Sequence, residues 1–370
     1  MKILLIGEYS NVHNTLARGL RERGHEVCVV SNGDFWKNYP RDIDVARRPG
    51  KWGGIRLWLR LAGLLPRMCG YDVVQLINPI FFELKPDRLF FFYRWLRRHN
   101  RRMVLGAFGM DWYWVHECTY EKPLRYSDFN IGTEVRTDQQ ALREQHDWLA
   151  TAKERLNRMI AADCDAIVGG LYENYVCYEP YFPQKNHFIP YPIILPPAVS
   201  AARPHPSPLL HIFIGISRGR SLYKGTDIML RAAQDIVSRY PDRAELQVAE
   251  GIPFARYQEM MDNSDVLLDQ LYSYTPAMNA LLAMSKGIIA VGGGEPENYE
   301  ILGEKELRPI INVEPTYESV YHELEQLVLH PERIAALKQQ SRQYISRHHD
   351  YLKVARQYEQ LYESVCAAMT

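Results

Sequence analysis

Short apolar runs alternate with amphipathic stretches along the chain, and this alternation predicts strands that are followed by helices. In the first half, residues 2–7 form an apolar run of strand type, residues 14–23 have helical spacing, and residues 26–31 form the next apolar run. Such a β-α-β series predicts a parallel, doubly wound sheet. Its later predicted elements are strands at 73–77, 103–107, 166–169 and 187–190 and one long helix at 142–161.

Residues 190–208 contain seven prolines, which make this stretch stiff and non-helical and predict a domain linker at 191–208. A second alternating series follows the linker. The sequence therefore predicts two Rossmann-like α/β domains, residues 1–190 and 209–348. The second domain has predicted strands at 211–215, 245–249, 266–269 and 287–291 and helices at 227–239, 254–263 and 278–285.

Composition is that of an ordinary soluble protein with room for two hydrophobic cores, since 46% of its 370 residues are hydrophobic and 24% are charged. The apolar runs are far shorter than the roughly 18 residues that a membrane span needs, and residues 1–7 are too short for a secretion signal. We therefore expect a cytoplasmic protein. Six scattered cysteines without a C-x-x-C pair predict free thiols.

Positive charge is concentrated in one part of the first half. Residues 37–102 contain 15 Lys and Arg against 5 Asp and Glu, although the net charge of the chain is zero. Two stretches in the basic aromatic region, residues 47–102, combine arginines with Trp, Phe and Leu, a composition suited to the surface of an anionic membrane. The alternative is a pair of helices that bury their aromatics and expose their arginines. Nucleic acid is not expected, because no recognition motif accompanies the charge.

A basic loop follows the first predicted strand of the second domain. That strand is expected to stop at Gly215, and Arg218 and Lys224 then precede Gly225 and a predicted helix. Arginine offers phosphate a planar fork, lysine adds a point charge, and the N–H groups of the helix face the same place. The pattern predicts a site for the diphosphate of a nucleotide-linked substrate. A solvated basic loop is the alternative.

Two other chemistries are not favoured by the sequence. The G-x-G-x-x-G fingerprint of dinucleotide-binding domains is missing from residues 7–14. The D-x-D patterns at 42–44 and 163–165 imitate a metal-binding motif, but so short a pattern is expected by chance in a chain of this length. We therefore predict neither a cofactor nor a metal ion.

A series of short motifs runs along the chain. They are Met-Lys-Ile-Leu-Leu-Ile-Gly at 1–7, Gly-His-Glu-Val at 24–27, Ile-Pro-Tyr-Pro at 189–192, Ser217-Arg218 with Lys224-Gly225, Met-Ser-Lys-Gly at 284–287 and Gly-Gly-Glu-Pro-Glu at 293–297. In this order the motifs resemble those of GT-B glycosyltransferases, in particular the retaining family-four type of bacterial surface polysaccharide synthesis. The resemblance implies the GT-B fold, in which two doubly wound domains face each other across a cleft, and a closing helix at about 349–370 that returns to the first domain.

The resemblance also implies a reaction. A hexose would move from a nucleotide-diphosphate sugar to a glycan or lipid-linked acceptor, without a metal ion. Arg218 and Lys224 would hold the donor's diphosphate and stabilise the charge that grows on the leaving group. An enzyme of this kind would be cytoplasmic, or peripheral on the inner face of a membrane.

The chain departs from the family pattern at the donor site. The family usually has two glutamates eight positions apart, but the corresponding residues here are Tyr274 and Leu282. Asp269 or Asn279 could take over a hydroxyl contact, and the glycine-rich loop with Gly293, Gly294, Glu295 and Glu297 could also reach the donor. For Asn279 the alternative is a polar residue at a helix N-terminus.

In the first domain, Asp111 and His13 are the candidates for the reacting side. Asp111 lies in a segment similar to the family's His-Gly-x-Asp turn and could orient a sugar hydroxyl, with Trp112 and Trp114 offering stacking faces or covering the core. His13 follows the first predicted strand and could act as a donor or base, or be a solvent-exposed histidine at a helix start. Two rival functions stay open, an inactive binding or scaffold subunit and a nucleotide-sugar epimerase.

Overall fold

The computed structural model describes residues 1–197, 209–216, 219 and 221–368. Its strands are β1 Lys2–Ile6, β2 Glu26–Ser31, β3 Ile43–Asp44, β4 Val73–Leu76, β5 Arg102–Ala107, β6 Asn130–Ile131, β7 Glu134–Val135, β8 Ala166–Gly169, β9 Asn186–Phe188, β10 Leu210–Ile216, β11 Ala244–Glu250, β12 Val266–Leu268 and β13 Ile289–Val291. Its helices are α1 Val12–Glu22, α2 Gly53–Leu64, α3 Pro86–His99, α4 Trp112–His116, α5 Gln139–Trp148, α6 Ala152–Asp163, α7 Tyr172–Tyr178, α8 Ser221–Lys224, α9 Thr226–Arg239, α10 Phe254–Asp262, α11 Met278–Ser285, α12 Pro296–Leu302, α13 Tyr317–Leu329, α14 Glu332–Tyr344 and α15 Tyr351–Ala367.

Seven parallel strands of the first half form one sheet in the order β3-β2-β1-β4-β5-β8-β9. Residues 3–6 of β1 are fully buried, because helices cover both faces of the sheet. The strand order reverses between β1 and β4. In doubly wound sheets, ligands bind beside such a switch point, outside the carboxyl ends of the strands.

Four parallel strands of the second half form a smaller sheet in the order β11-β10-β12-β13. Its order reverses between β10 and β12, so this sheet also has a switch point at its carboxyl edge. The two parallel α/β sheets agree with the predicted fold class. The linker predicted at 191–208 comes between them in sequence, and its part from 198 to 208 lies outside the described residues, so the domain boundaries stay predictions.

The last helix packs on the first half of the chain. Ala355 of α15 lies against Gly19 of α1, where a Cβ added to the glycine would come within 2.7 Å of the Cβ of Ala355. The Tyr362 hydroxyl donates a hydrogen bond of 2.7 Å to Oε1 of Gln75, a buried residue of β4. The helix thus contributes to the core beneath the first sheet.

Two predicted helices have different bounds in the structure. The stretch 142–161 is divided between α5 and α6, because Ala150 adopts a left-handed conformation with φ of 56° and Thr151 accepts a hydrogen bond from the Lys153 amide to begin α6. The closing helix, expected at about 349–370, begins at Tyr351, because the Asp350 carboxylate accepts hydrogen bonds from the first amides of α15. Capping side chains thus determine where α6 and α15 begin.

The basic aromatic region forms two adjacent helices with different exposure. Helix α3 buries Leu89, Phe92, Tyr93 and Leu96. This burial of aromatic side chains agrees with the alternative prediction for the region, in which the helices bury their aromatics and expose their arginines. Helix α2 buries Leu57 and Leu61 but leaves other large apolar side chains exposed. No helix among the described residues is long and apolar enough to cross a membrane. All six cysteines are free, as predicted.

Candidate functional site

A cavity of about 220 Å³ lies between the two halves, beside the carboxyl end of β1. The second half contributes α10 and α11, and residues 192–194 contribute one wall. The side chains that line it from the two halves are Ser10, Asn11, Thr15, Lys37, Tyr39, Phe254, Gln258, Met278, Asn279 and Leu282. This position matches the crevice expected at the switch point of the first sheet.

The loop after β1 has a strained backbone where it meets this cavity. Ser10 and Asn11 both have left-handed conformations, with φ of 50° and 73°. The Asp34 carboxylate holds the loop by accepting from the Ser10 amide at 2.8 Å, and Lys37 Nζ donates to both Asp34 and the Ser10 hydroxyl. Backbone strain of this kind persists only where the surroundings fix it, and it is commonest at functional sites.

Glu8 lies beneath the same loop and is 3% exposed. Its carboxyl group accepts hydrogen bonds from the amides of His13 and Asn14 in the first turn of α1. Burial raises the pKa of Glu8 to about 8, and these amides offset only part of the effect. A buried carboxyl group that titrates near neutrality thus supports the loop, and the sequence prediction missed it because nothing in the local pattern reveals its burial.

Three of the predicted donor residues come together on the other side of the cleft. Asn279 Nδ2 donates to the Asp269 carboxylate at 3.1 Å, and the Tyr257 hydroxyl donates to Asn279 Oδ1 at 3.0 Å. Burial raises the pKa of Asp269, while the nearby charge of Lys224 lowers it. Lys224, Asp269 and Asn279 therefore form one polar cluster at the carboxyl edge of the second sheet.

The two positions of the missing glutamate pair have different surroundings. Leu282 faces the cavity, so this part of its wall is apolar. Tyr274 is 1% exposed, and its hydroxyl accepts a hydrogen bond of 2.7 Å from the Arg125 amide of the first half. Position 274 therefore holds the two halves together instead of presenting a carboxylate.

The predicted glycines fit positions where a side chain would collide. A Cβ on Gly215 would lie 2.6 Å from the Tyr257 ring. The prediction that the strand stops at Gly215 is wrong, since β10 continues to Ile216. Gly225 and Gly293 have φ of 70° and 72°, which favours glycine, and a Cβ on Gly293 would lie 2.9 Å from the Thr275 backbone. Gly294 donates its amide to Asn312 at 3.2 Å.

Glu295 and Glu297 bind side chains of the first half. Arg125 Nη2 lies 2.6 Å from Glu295 Oε2 and 3.1 Å from Glu297 Oε2, and the Tyr126 hydroxyl donates to Glu295. Asn312 donates to Glu295 as well, at 3.0 Å. The structure places these carboxylates in contacts between the halves, and a role in donor binding would require those contacts to change.

His13 and Asp111, predicted on the reacting side, are both fully buried. His13 Nδ1 donates to the Gly7 carbonyl at 2.8 Å and Nε2 accepts from Gln75, and burial lowers the pKa of His13 to about 3. It is therefore not the exposed histidine of the alternative prediction. Asp111 begins α4 by accepting from the Trp114 amide and accepts from the Tyr178 hydroxyl, while burial raises its pKa to about 6. Neither side chain reaches the cavity as the structure stands.

Arg218 lies outside the described residues, so its place beside Lys224 stays a prediction. Within the described ranges, no group of three or more His, Cys, Asp or Glu side chains is arranged to hold a metal ion.

A segment of the first half contacts the second half beside the loop that contains Glu295 and Glu297. We call residues 124–138, which contain the β6-β7 hairpin, the hairpin strap. Besides Arg125 and Tyr126, it provides Arg136, whose guanidinium donates to the Leu222 carbonyl at 2.8 Å and lies 4.0 Å from the Tyr272 ring centre. Such contacts join residues far apart in sequence, and the sequence patterns did not reveal them.

Glu173 of α7 makes a second buried contact between the halves. Its carboxylate accepts from the amides of Tyr274 and Thr275 at 2.6 and 3.0 Å, and from the hydroxyls of Ser273 and Thr275. This fixes the loop that follows β12 and leads to α11. The orientation of Asn279 thus depends on a residue of the first half.

No protein-family model matches the sequence, and no curated protein sequence does. Solved structures with the GT-B fold are similar over the whole chain. Sucrose-phosphate synthase from Thermosynechococcus elongatus superposes with a TM-score of 0.65 at 13% identity, covering 100% of both chains. HepE from Anabaena, solved with UDP and glucose, gives 0.59 at 11% identity over 98% of this chain and 100% of its own. UDP-GlcNAc 2-epimerase from Neisseria meningitidis, bound to UDP-GlcNAc, superposes with a TM-score of 0.53 at 11% identity, covering 98% of this chain and 100% of its own. The protein has the GT-B fold.

Proposed function

We propose that this GT-B protein is a glycosyltransferase that moves a hexose from a nucleotide-diphosphate sugar to a glycan or lipid-linked acceptor, as in bacterial surface polysaccharide synthesis. The observation that carries the proposal is the cluster of Lys224, Asp269 and Asn279 at the carboxyl edge of the second sheet. Asn279 of this cluster lines a cavity whose opposite wall is the strained loop of Ser10 and Asn11. A donor and an acceptor can approach each other only in such a cleft.

Lys224, together with Arg218, would hold the donor's diphosphate. Lys224 ends α8, next to Gly225 at the N-terminus of α9, so its positive charge and the helix amides favour the same anion. As the glycosidic bond breaks, negative charge grows on the leaving phosphate. Cations fixed in a cleft that excludes water stabilise this charge more than they stabilise the ground state, which lowers the barrier.

Asp269 and Asn279 would contact hydroxyl groups of the donor. Their mutual hydrogen bond leaves Asp269 with a second carboxylate oxygen, and Asn279 lines the cavity together with Leu282, the position of the second glutamate in the family pattern. The apolar wall at Leu282 cannot replace a carboxylate. We therefore assign the polar contacts on this wall of the cavity to Asn279.

The acceptor would enter from the loop after β1. Ser10 and Lys37 line the cavity on that side and are joined by a hydrogen bond of 3.1 Å. Because His13 and Asp111 are buried, we propose that the protein positions the acceptor and that the proton of its hydroxyl passes to the leaving phosphate. Retention of the anomeric configuration and independence of metal ions belong to this proposal.

A second candidate is a nucleotide-sugar epimerase on the same fold. Two similar structures, those of UDP-GlcNAc 2-epimerase and HepE, differ little in TM-score, 0.53 and 0.59, so the fold favours neither activity. Incubation with UDP-, ADP- and GDP-sugars separates the two. Nucleotide release that depends on an added acceptor supports transfer, interconversion of the sugar without release supports epimerisation, and binding without either supports an inactive scaffold.

The diphosphate assignment has its own test. Replacing both Arg218 and Lys224 by Ala should abolish binding of the nucleotide sugar in calorimetry, because two cations that neutralise the diphosphate are lost. The matched control replaces Lys305 and Arg333, two exposed cations of the second half, by Ala and should leave the affinity unchanged. Equal affinity of the double variant and the wild type would remove these residues from the site.

A further inference from the structure

An exposed apolar row runs along the outer face of α2. Trp52, at the N-terminus of the helix, Ile55 and Leu59 are 65%, 53% and 60% exposed. Their spacing of three and four residues places them on one side, opposite the buried Leu57 and Leu61. We call this side the outer face of α2. Three large apolar side chains in a row are unusual on a soluble surface and indicate an interaction site.

Positive charge surrounds this face. Arg56 and Arg60 are exposed beside the apolar row. A cavity of about 510 Å³ opens on one side of it, lined by the cations Arg47, Lys51, Lys85 and Arg88 and by the apolar side chains of Ile55, Trp58 and Leu84. A second cavity of about 520 Å³ on the other side adds Arg48. The surface therefore combines hydrocarbon with a high density of positive charge.

Few carboxylates neutralise these cations, and one of them is Asp44, which lines the second cavity and lies 4.0 Å from Arg60. In the described parts of the chain, no carboxylate lies within ion-pair distance of Lys51, Lys85 or Arg88. Glu83 lines the first cavity, and it accepts a hydrogen bond of 3.0 Å from the Arg47 amide. An anion entering this cavity would meet four cations and one carboxylate, next to an apolar wall.

We propose that the outer face of α2 docks on a lipid bilayer that carries anionic headgroups. Trp52, Ile55 and Leu59 enter the boundary between headgroups and acyl chains, and the cavity beside Trp58 receives the phosphate of a headgroup. A bilayer satisfies both parts of the surface at once, whereas nucleic acid would match the cations and leave the apolar row in water. This inference is independent of the proposed transfer reaction, since it concerns a different surface.

Vesicle sedimentation tests the proposal with the full-length protein. We expect the wild type to pellet with vesicles of phosphatidylglycerol and phosphatidylcholine at low salt and to be released from them by high salt. It should not pellet with vesicles of phosphatidylcholine alone. Leu59→Glu should abolish pelleting, because it places a negative charge in the apolar row. Lys51→Ala combined with Arg88→Ala should weaken binding about 30-fold, since each cation near the surface contributes separately.

Two matched variants control for nonspecific effects. Leu142→Glu alters another exposed leucine, which lies in α5 and is 50% exposed, and Lys305→Ala with Arg333→Ala removes two cations from the second half. Both should pellet like the wild type, and circular dichroism should show that every variant is folded. Wild-type binding by Leu59→Glu, or equal binding to uncharged vesicles, would overturn the proposal. So would the absence of pelleting at low salt, or dissociation of a dimer by Leu59→Glu in sedimentation velocity without any change in vesicle binding.

Discussion

Replacing the buried Glu8 by Gln should make the protein more stable at alkaline pH. In the wild type the folded state holds Glu8 in a site where burial raises its pKa from 4.5 to about 8. A carboxyl group with a raised pKa binds its proton more tightly in the folded state than in the unfolded state. The stability that this proton provides is fully present below pH 4.5 and is lost as the pH rises through about 8.

The size of the effect follows from the two pKa values. Linkage gives a loss of roughly 2 to 3 kcal/mol in the free energy of unfolding between about pH 6 and pH 9. A glutamine side chain has the same shape as the glutamate that it replaces, and its amide oxygen could still accept hydrogen bonds from the first turn of α1. Because the amide does not titrate, the free energy of unfolding of the Glu8→Gln variant should not fall in this way between about pH 6 and pH 9. The variant should therefore be more stable than the wild type at about pH 9.

Urea unfolding of both proteins at the two pH values, followed by tryptophan fluorescence, measures this difference. Other titrating groups are common to both chains and cancel in the comparison. Glu26→Gln on β2 is the control, since Glu26 is exposed and its substitution should leave the pH dependence unchanged. If Glu8→Gln loses as much stability as the wild type between the two pH values, Glu8 is ionised in the folded protein and the reasoning is wrong.

Two further predictions concern single contacts. Glu173→Ala should lower the free energy of unfolding by roughly 3–5 kcal/mol, because four buried donors lose their acceptor, whereas Glu300→Ala at an exposed position should change it little. An equal effect of the two changes in urea unfolding would contradict the proposed contact. Ala150→Gly should raise the melting temperature by the equivalent of about 1 kcal/mol, since glycine adopts φ of 56° without strain. Ala162→Gly in α6 should lower it, and a decrease for both would refute the assignment of strain at Ala150.

Much of the fold could be predicted because its information is local. The strands β2 and β8 and the helix α11 have the predicted bounds, since each is a run of apolar or helix-forming residues between clear breaks. The break at Ala150 could not be predicted, because the helical spacing of α5 continues into α6 across it. Only the Thr151 cap indicates a new start, and a threonine within a long periodic stretch is a weak signal.

The candidate site was predictable where motif spacing fixes position. Asn279 lies one helical turn before Leu282 and Asp269 ends a predicted strand, and the two side chains are hydrogen-bonded to each other. Asp111 shows the limit of this approach. The motif predicts a sugar contact, but in the structure the residue precedes a helix and serves as its N-cap.

Contacts between the two halves could not be predicted, because they join residues that are far apart in sequence. Arg125 is 55% exposed, and ion pairs of such a side chain contribute only about 0–1 kcal/mol in water, so the pairs with Glu295 and Glu297 break at low cost. Glu173 is buried, and separating it from residues 273–275 would leave several donors and a charge without partners. Releasing Glu295 would also break its buried hydrogen bond from the Tyr126 hydroxyl, so the Arg125 ion pairs are only the weaker part of this contact. Among the predicted donor residues, Glu297 is therefore released from the first half at lower cost than Glu295, whereas the hydrogen bond between Asp269 and Asn279 lies within the second half and requires no such change.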